Sequence, residues 1–233
     1  MRWTRFAGLA GAAVLGAFGA AAGPGVPEAS AQGCPDVEVV FARGTGEAPG
    51  VGGVGQAFVD SVRAQAAPRT VGVYAVNYPA ANNFDAGPAF AQTVVDGIRD
   101  ASNRLQTMSD ICPDTRLVLG GFSQGAAVSG FATSDRLPNS VPVSAVPAPL
   151  PAYVADHVAA VVLFGAPSGA FLQKYGAPAI SVGPLYAGKT AQLCAPGDTI
   201  CDGVPDGGPN FAHALYSVNG MANQGAAFAV NRL

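Results

Sequence analysis

Charged residues are scarce in this 233-residue chain. Only 12% of positions carry Asp, Glu, Lys or Arg, whereas soluble domains usually have about 25%. The 12 basic and 15 acidic residues give a net charge of −3, which offers no electrostatic reason to expect nucleic-acid binding. Hydrophobic residues make up 49% of the chain, and this excludes a disordered protein. The chain is therefore either membrane-bound or a soluble protein with an unusually apolar surface.

Histidine and the common ligand motifs are also in short supply. The sequence has two histidines, His157 and His213, and no CxxC pair, so a zinc site lacks its usual ligand spacing. The glycine-rich segment Arg43–Glu47 lacks the lysine of a phosphate-binding loop and the full G-x-G-x-x-G pattern. We expect neither a metal nor a cofactor.

Apolar runs long enough to suggest a membrane segment are missing after the first thirty residues. Two arginines precede the uncharged run Phe6–Ala22, prolines then break it, and small residues occupy positions 29–31. This pattern is typical of a secretory signal. A retained anchor is the alternative, but a spanning helix needs roughly 20 strongly apolar residues. We predict a signal peptide over 1–31 and a single domain over 32–233. We expect that domain to be a secreted monomer, free or attached to the cell wall, with no stable membrane span.

All four cysteines lie in the predicted mature domain. An even number in an exported chain indicates two disulfides, and four cysteines allow three connectivities. The closeness of Cys194 and Cys201 favours a small loop, which would leave Cys34 to pair with Cys112. The sequence alone does not choose among the three.

Short apolar runs alternate with helical segments along the domain. This rhythm, with strands that are apolar throughout, indicates an α/β fold with a central, mostly parallel sheet of five strands. The segment Leu137–Pro151 contains five prolines and no charge, so it cannot be a helix. We interpret it as a rigid connection, with an apolar rim as the alternative.

The predicted strands are Val37–Ala42, Val71–Val76, Leu117–Phe122, Val158–Phe164 and Ala191–Leu193, and the predicted helices are Gln56–Ala67, Pro88–Met108, Gln124–Ser134 and Met221–Asn231.

The strongest local motif is Gly121-Phe122-Ser123-Gln124-Gly125, which fits G-x-S-x-G between a predicted strand and a predicted helix. In that context a sharp turn exposes the serine hydroxyl above the sheet edge, and the small residues let neighbouring backbone pass close by. A helix N-cap serine is the alternative. We predict Ser123 as a nucleophile.

A nucleophilic serine needs a base and an orienting carboxylate. His213 follows the last strand and leaves room for an acid after Ser123, whereas His157 lies at the wrong end of its strand. We favour Asp198, because a closed Cys194–Cys201 loop would fix its position; a plain turn residue is the alternative. Asp202 is the second choice, and the remaining acids between Ser123 and His213 are Asp135, Asp156 and Asp206.

Two further groups of residues are candidates for substrate contacts. The backbone N–H groups of Thr45 and Gln124 are predicted to bind the oxyanion. Val204, Phe211 and Leu215 flank His213 in sequence and are predicted to form an apolar wall for an acyl chain; simple packing residues are the alternative.

Six motifs occur in order along the predicted domain: Phe41–Thr45, Val73–Pro79, Gly120–Gly125, Val162–Gly165, Cys194…Asp198…Cys201 and His213–Tyr216. Together they resemble the cutinase family, and most closely the cutinase-like esterases of actinobacteria. The resemblance implies a small three-layer α/β-hydrolase without the long lid of true lipases. It implies Ser123 as nucleophile, Asp198 as orienting acid and His213 as base, and it supports the pairs Cys34–Cys112 and Cys194–Cys201. Phe122 departs from a frequent tyrosine.

The expected activity is hydrolysis of carboxylic esters through an acyl-enzyme. The expected substrates are short- to medium-chain esters, lipids or polyesters such as cutin. Deacetylation of a polysaccharide such as xylan is one alternative, although a sugar groove is commonly rich in aromatic residues and the only Trp, Trp3, lies in the predicted signal. A non-catalytic secreted cell-wall or binding protein is the other.

Overall fold

The computed structural model describes residues 33–136 and 147–233. The predicted signal peptide and residues 137–146 of the proline-rich stretch lie outside the described residues. The described part of the chain contains five strands and seven α-helices. The strands are β1 (Val37–Ala42), β2 (Val71–Ala75), β3 (Arg116–Phe122), β4 (Val158–Phe164) and β5 (Thr190–Leu193), and the helices are α1 (Gly52–Ala66), α2 (Pro88–Ile111), α3 (Gln124–Ala132), α4 (Ala152–His157), α5 (Gly169–Gln173), α6 (Pro184–Ala187) and α7 (Met221–Val230).

The five strands form one sheet in the order β2-β1-β3-β4-β5, and every neighbouring pair is parallel. The predicted α/β fold is confirmed, with a sheet that is wholly rather than mostly parallel. Both β1 and β4 are buried along their whole length, because helices cover both faces of a parallel sheet.

Each face of the sheet has its own hydrophobic core, so the domain has the expected three layers. Side chains of α1 and α7 pack on one face around Phe41, Phe58 and Phe164, whose rings lie 5.4–6.3 Å apart. Side chains of α2 and α3, among them Leu105 and Val128, pack on the other face.

Three short helices, α4, α5 and α6, escaped prediction. Each has six residues or fewer, which is too short for the apolar periodicity that marks a helix. Two 3-10 turns, Phe84–Ala86 and Ala212–Ala214, are shorter still.

Two disulfides hold segments at opposite edges of the fold. Cys34–Cys112 ties the chain before β1 to the end of α2, and Cys194–Cys201 closes a small loop after β5. These are the pairs that the family resemblance implies. None of the helices in the described ranges is both long and apolar enough to cross a bilayer.

Candidate active site

Ser123 occupies a strained turn between β3 and α3. Its backbone has φ 55° and ψ −118°, a region that side-chain-bearing residues rarely adopt and that marks functional sites. The Ser123 N–H donates to the Phe164 carbonyl at the end of β4 (2.9 Å). The turn is thereby fixed at the carboxyl edge of the sheet, where ligands bind in open α/β folds.

The two glycines of the motif are required by close backbone contacts. A Cβ on Gly121 would lie 2.1 Å from the Gly125 carbonyl oxygen, and one on Gly125 would lie 2.0 Å from the Ala42 carbonyl oxygen. The first turn of α3 therefore packs directly against the end of β1, and no larger residue fits at either position.

Ser123, His213 and Asp198 form a continuous hydrogen-bonded chain. The Ser123 Oγ lies 2.8 Å from His213 Nε2, and His213 Nδ1 lies 2.8 Å from Asp198 Oδ2. Asp198 is fully buried and His213 is 9% exposed, so water does not compete for the contact between them. This arrangement suits a serine nucleophile, a histidine base and an orienting carboxylate.

Gly165, directly after β4, leaves room for the hydrogen-bonded chain of Ser123, His213 and Asp198. Gly165 has φ 55°, and a Cβ there would lie 2.9 Å from His213 Cε1 and 3.1 Å from Asp198 Oδ2. On the other side the Phe122 ring stacks on the imidazole, with 4.9 Å between the ring centroids. From the sequence alone, Phe122 had no assigned role beyond its departure from tyrosine.

The other candidate residues lie elsewhere. Asp202 is exposed, and its Oδ1 accepts from the Val204 N–H (3.0 Å). His157 lies at the opposite edge of the sheet, with Nδ1 3.0 Å from the Pro113 carbonyl oxygen. Of the five acids considered, all within the described residues, Asp198 alone hydrogen-bonds to His213.

Thr45 and Gln124 both line the cavity that contains Ser123. Gln124 opens α3, where backbone N–H groups lack partners within the helix. Among the described residues, no backbone carbonyl accepts from the N–H of Thr45 or Gln124 outside the regular elements. Both groups are therefore available to a ligand beside the serine.

The loop that carries Thr45 is held by its own charged side chains. The Glu47 carboxylate accepts from the N–H groups of Gly44 (2.6 Å) and Gly53 (2.8 Å), which fixes the loop to the start of α1. The Arg43 guanidinium donates to the carbonyls of Glu47 (2.9 Å) and Tyr78 (2.6 Å). Arg43 is 4% exposed, although no local sequence pattern predicts a buried arginine at this position.

Residues 78–81 contact both the loop that carries Thr45 and the side chain of Gln124. The Tyr78 hydroxyl donates to the Arg43 carbonyl (2.5 Å), and the Ala80 carbonyl accepts from the Gly46 N–H (2.7 Å). The Ala81 carbonyl accepts from Gln124 Nε2 (3.3 Å). This segment therefore braces both the Thr45 loop and Gln124.

A cavity of about 780 Å³ opens beside Ser123 and His213. Aliphatic and aromatic side chains supply most of its wall, and they come from α2, α3 and the segment around α5. They include Phe90, Val94, Ile98, Phe131, Phe171 and Tyr175.

A row of four aromatic rings crosses one side of this cavity. The centroids of Phe90 and Phe84 lie 4.7 Å apart, those of Phe84 and Tyr175 5.4 Å, and those of Tyr175 and Phe171 5.4 Å. The row joins the start of α2 to the segment around α5.

The predicted acyl wall does not coincide with the cavity lining. Val204, Phe211 and Leu215 are not among the residues that line it, and Phe211 is 78% exposed. The 3-10 turn Ala212–Ala214 directs the imidazole inward, so its sequence neighbours face other directions. By contrast, Pro147 and Pro149 of the proline-rich stretch do line the cavity, which favours the apolar-rim interpretation for that part.

Comparison with known proteins gives a family match over the whole described domain. The family model described as Cutinase matches residues 33–233. The chain is 60% identical over 169 residues to "Probable carboxylesterase Culp7" of Mycobacterium tuberculosis, covering 72% of this chain and 88% of that protein. It is 47% identical to "Carboxylesterase Culp1" of Mycobacterium bovis, with 88% and 85% covered. "Phospholipase Culp4" of Mycobacterium tuberculosis is 48% identical, with 89% and 82% covered.

Solved structures give a matching result. A Trichoderma reesei cutinase in complex with a phosphonate inhibitor superposes with a TM-score of 0.63 at 32% identity, covering 85% of this chain and 76% of that chain. The catalytic core domain of an acetyl xylan esterase from Trichoderma reesei gives 0.65 at 28% identity, covering 86% of this chain and all (100%) of that one.

Proposed function

Because the chain belongs to the cutinase family and is a carboxylic ester hydrolase, we propose that it cleaves esters through an acyl-enzyme on Ser123. The observation that carries the proposal is the hydrogen-bonded chain from Ser123 through His213 to the buried Asp198, at the wall of an apolar cavity.

In the proposed mechanism, His213 Nε2 takes the Ser123 hydroxyl proton as Oγ bonds to the ester carbonyl carbon. The tetrahedral intermediate then expels the alcohol oxygen, which receives that proton from His213, and leaves an acyl-enzyme. Water repeats the sequence: His213 takes its proton, the hydroxyl oxygen bonds to the acyl carbon, and the acid leaves as Ser123 regains a proton. Asp198 orients the imidazole and stabilises its positive charge in both halves.

The N–H groups of Thr45 and Gln124 are proposed to bind the oxyanion of each intermediate. Such donors act mainly on the charge that develops in the transition state, and losing one costs roughly 100- to 1000-fold in kcat. The contacts of Arg43, Glu47 and Tyr78 support this role, because they hold the Thr45 loop in one conformation.

The cavity favours an apolar acyl chain as the group next to the scissile carbonyl. Its wall is mostly aliphatic and aromatic, which suits a flexible hydrocarbon better than the many hydroxyls of a sugar. We therefore propose short- to medium-chain esters, including lipid esters, as the substrate class. Xylan deacetylation stays the second candidate, since an acetyl xylan esterase core shares the fold and the row of four aromatic rings is a feature common in sugar grooves.

We expect purified protein to hydrolyse p-nitrophenyl esters, with kcat/KM higher for butyrate to decanoate than for acetate. Each buried methylene contributes about 0.8 kcal/mol, so a cavity that accepts the chain favours the longer esters. Steady-state rates on graded chain lengths, beside acetate release from acetylated xylan, provide the measurement. A rate on xylan that exceeds every ester rate would favour the deacetylase instead.

We expect Tyr175→Ala to lower kcat/KM for the decanoate ester about ten-fold, which corresponds to the apolar contact of roughly two buried methylenes, while the acetate rate stays near that of the wild type. Tyr175 lines the cavity and belongs to the row of four rings. Tyr153→Ala is a matched control, because Tyr153 is equally exposed (41% against 40%) and does not line the cavity. A decanoate-to-acetate ratio unchanged in Tyr175→Ala would exclude this wall from acyl binding.

Export of residues 32–233 after removal of a signal over 1–31 is also part of the proposal. The two disulfides support it, because such bonds form and persist in oxidising compartments.

A further inference from the structure

The phenol of Tyr216 lies directly against the buried carboxylate of Asp198. The Tyr216 Oη donates to Asp198 Oδ2 (2.6 Å) and accepts from the Ala195 N–H (2.8 Å). Tyr216 has no exposed surface. Its ring packs against those of Phe122, Phe164 and His213, which fixes the direction of the hydroxyl.

Asp198 Oδ2 is the same oxygen that accepts from His213 Nδ1, and Oδ1 accepts from the Ile200 N–H (3.1 Å). The carboxylate therefore has three donors, two of them on one oxygen. We propose that Tyr216 is a positioning residue of the reaction: its hydroxyl fixes the Asp198 carboxylate and limits how strongly that carboxylate stabilises the positive charge of the His213 imidazolium. This inference rests on the proposed function.

The hydrogen-bond network makes the Tyr216 hydroxyl the donor to Asp198. The Ala195 N–H can only donate, so the phenol oxygen accepts from it and directs its own proton to the carboxylate. Burial, and then the hydrogen bond to Asp198, raise the pKa of Tyr216 above its usual value. Tyr216 therefore stays a protonated donor over the working pH range.

Asp198 and His213 are the titratable groups that face this hydroxyl among the described residues. Cys201 Sγ lies 3.3 Å from it but belongs to a disulfide and does not titrate. The ends of β3 and β4 contribute Phe122, Phe164 and Gly165 at this point, none of which carries charge.

Loss of the hydroxyl has a defined effect on the pH dependence. A hydrogen bond donated to a carboxylate favours its charged form and weakens its attraction for a further proton. Without that donor, the Asp198 carboxylate would be a stronger acceptor from Nδ1–H and would stabilise the imidazolium, so the Nε2 proton of His213 would leave only at higher pH. The acidic limb of the pH profile of kcat/KM reports this deprotonation. We therefore expect it to move to higher pH.

The test is Tyr216→Phe, which keeps the ring and removes the oxygen. We expect kcat for p-nitrophenyl butyrate to fall about ten-fold with KM within about two-fold, since the contact acts on the reacting groups rather than on the substrate. The acidic limb should rise by about one pH unit. Tyr186→Phe is the matched control, because the Tyr186 hydroxyl is buried and has no partner among the described residues. Its kcat and acidic limb should equal those of the wild type.

The alternative is a purely structural role through the Ala195 contact. It would lower the melting temperature of Tyr216→Phe and leave the acidic limb in place, and that result would overturn the inference while ester hydrolysis by the wild type stood. A wild type that hydrolyses no ester would instead refute the proposed function.

A second variant strengthens the hydrogen bond to Asp198 instead of removing it. Incorporation of 3-fluorotyrosine at position 216 makes the phenol a stronger donor and retains its contact with Ala195. We expect the acidic limb to move to lower pH, opposite to its movement in Tyr216→Phe. If the acidic limb moved in the same direction in both variants, or did not move in either, the result would contradict the proposed role.

Discussion

Replacing Ser123 with alanine is expected to lower kcat for p-nitrophenyl butyrate by about 10⁶-fold, the loss typical of a removed serine nucleophile. The variant keeps His213, Asp198 and the cavity, so KM should change little. The residual rate should reflect only oxyanion binding and positioning. Steady-state kinetics with protein purified away from host esterases would measure it.

A fluorophosphonate reagent gives an independent reading of the same residue. It should add to the wild type at Ser123, located by peptide mass spectrometry, and should leave Ser123→Ala unlabelled. Ser61→Ala is a suitable control, because its hydroxyl donates to the Ala57 carbonyl on α1 (2.8 Å), outside the cavity. If Ser123→Ala were as active as the wild type, another group would be the nucleophile. An unlabelled and inert wild type would favour the non-catalytic binding protein.

Asp198→Asn is expected to lower kcat by about 10⁴-fold, because an amide no longer holds the imidazole in the tautomer that accepts the serine proton. Donors surround this side chain: His213 and Tyr216 meet Oδ2, and the Ile200 N–H meets Oδ1. An amide offers a single acceptor oxygen, so at least one donor must then face an NH₂ group, and some stability is expected to be lost as well.

Asp202→Asn is the matched control for that result. Asp202 lies four positions further along the same loop, is exposed, and accepts from the Val204 N–H. Its kcat should stay within about two-fold of the wild type, as expected for a surface substitution. Comparable losses in the two variants would refute the assignment of Asp198, and so would a loss confined to Asp202→Asn.

The sequence allowed the sheet to be predicted because its signals are local. β1, β3 and β4 are short apolar runs followed by glycine-containing turns, and each predicted run matches an observed strand closely. The Ser123 turn was also predictable, since its glycines are required by contacts within the motif and with the adjacent strand.

The cavity wall was not predictable in the same way. Phe90, Val94 and Ile98 share the helical periodicity of core residues, and periodicity does not distinguish a side chain that faces a core from one that faces an apolar cavity. Val204 and Phe211 are close to His213 in sequence, but both are exposed and neither lines the cavity. Arg43 and Tyr78 interact over 35 positions, a distance that no local pattern reports.

Two of the three proposed catalytic side chains lie close to the ends of strands, at the carboxyl edge of the sheet. Ser123 directly follows β3, Asp198 follows β5 within a disulfide-closed loop, and Gly165 of the intervening strand lies in the gap between them. The spacing between Ser123 and Asp198 is therefore set by the spacing between strands, and neither residue belongs to α2 or to the segment around α5. A protein built in this way can acquire new acyl-chain preferences through α2 and the segment around α5 while its reaction chemistry stays constant.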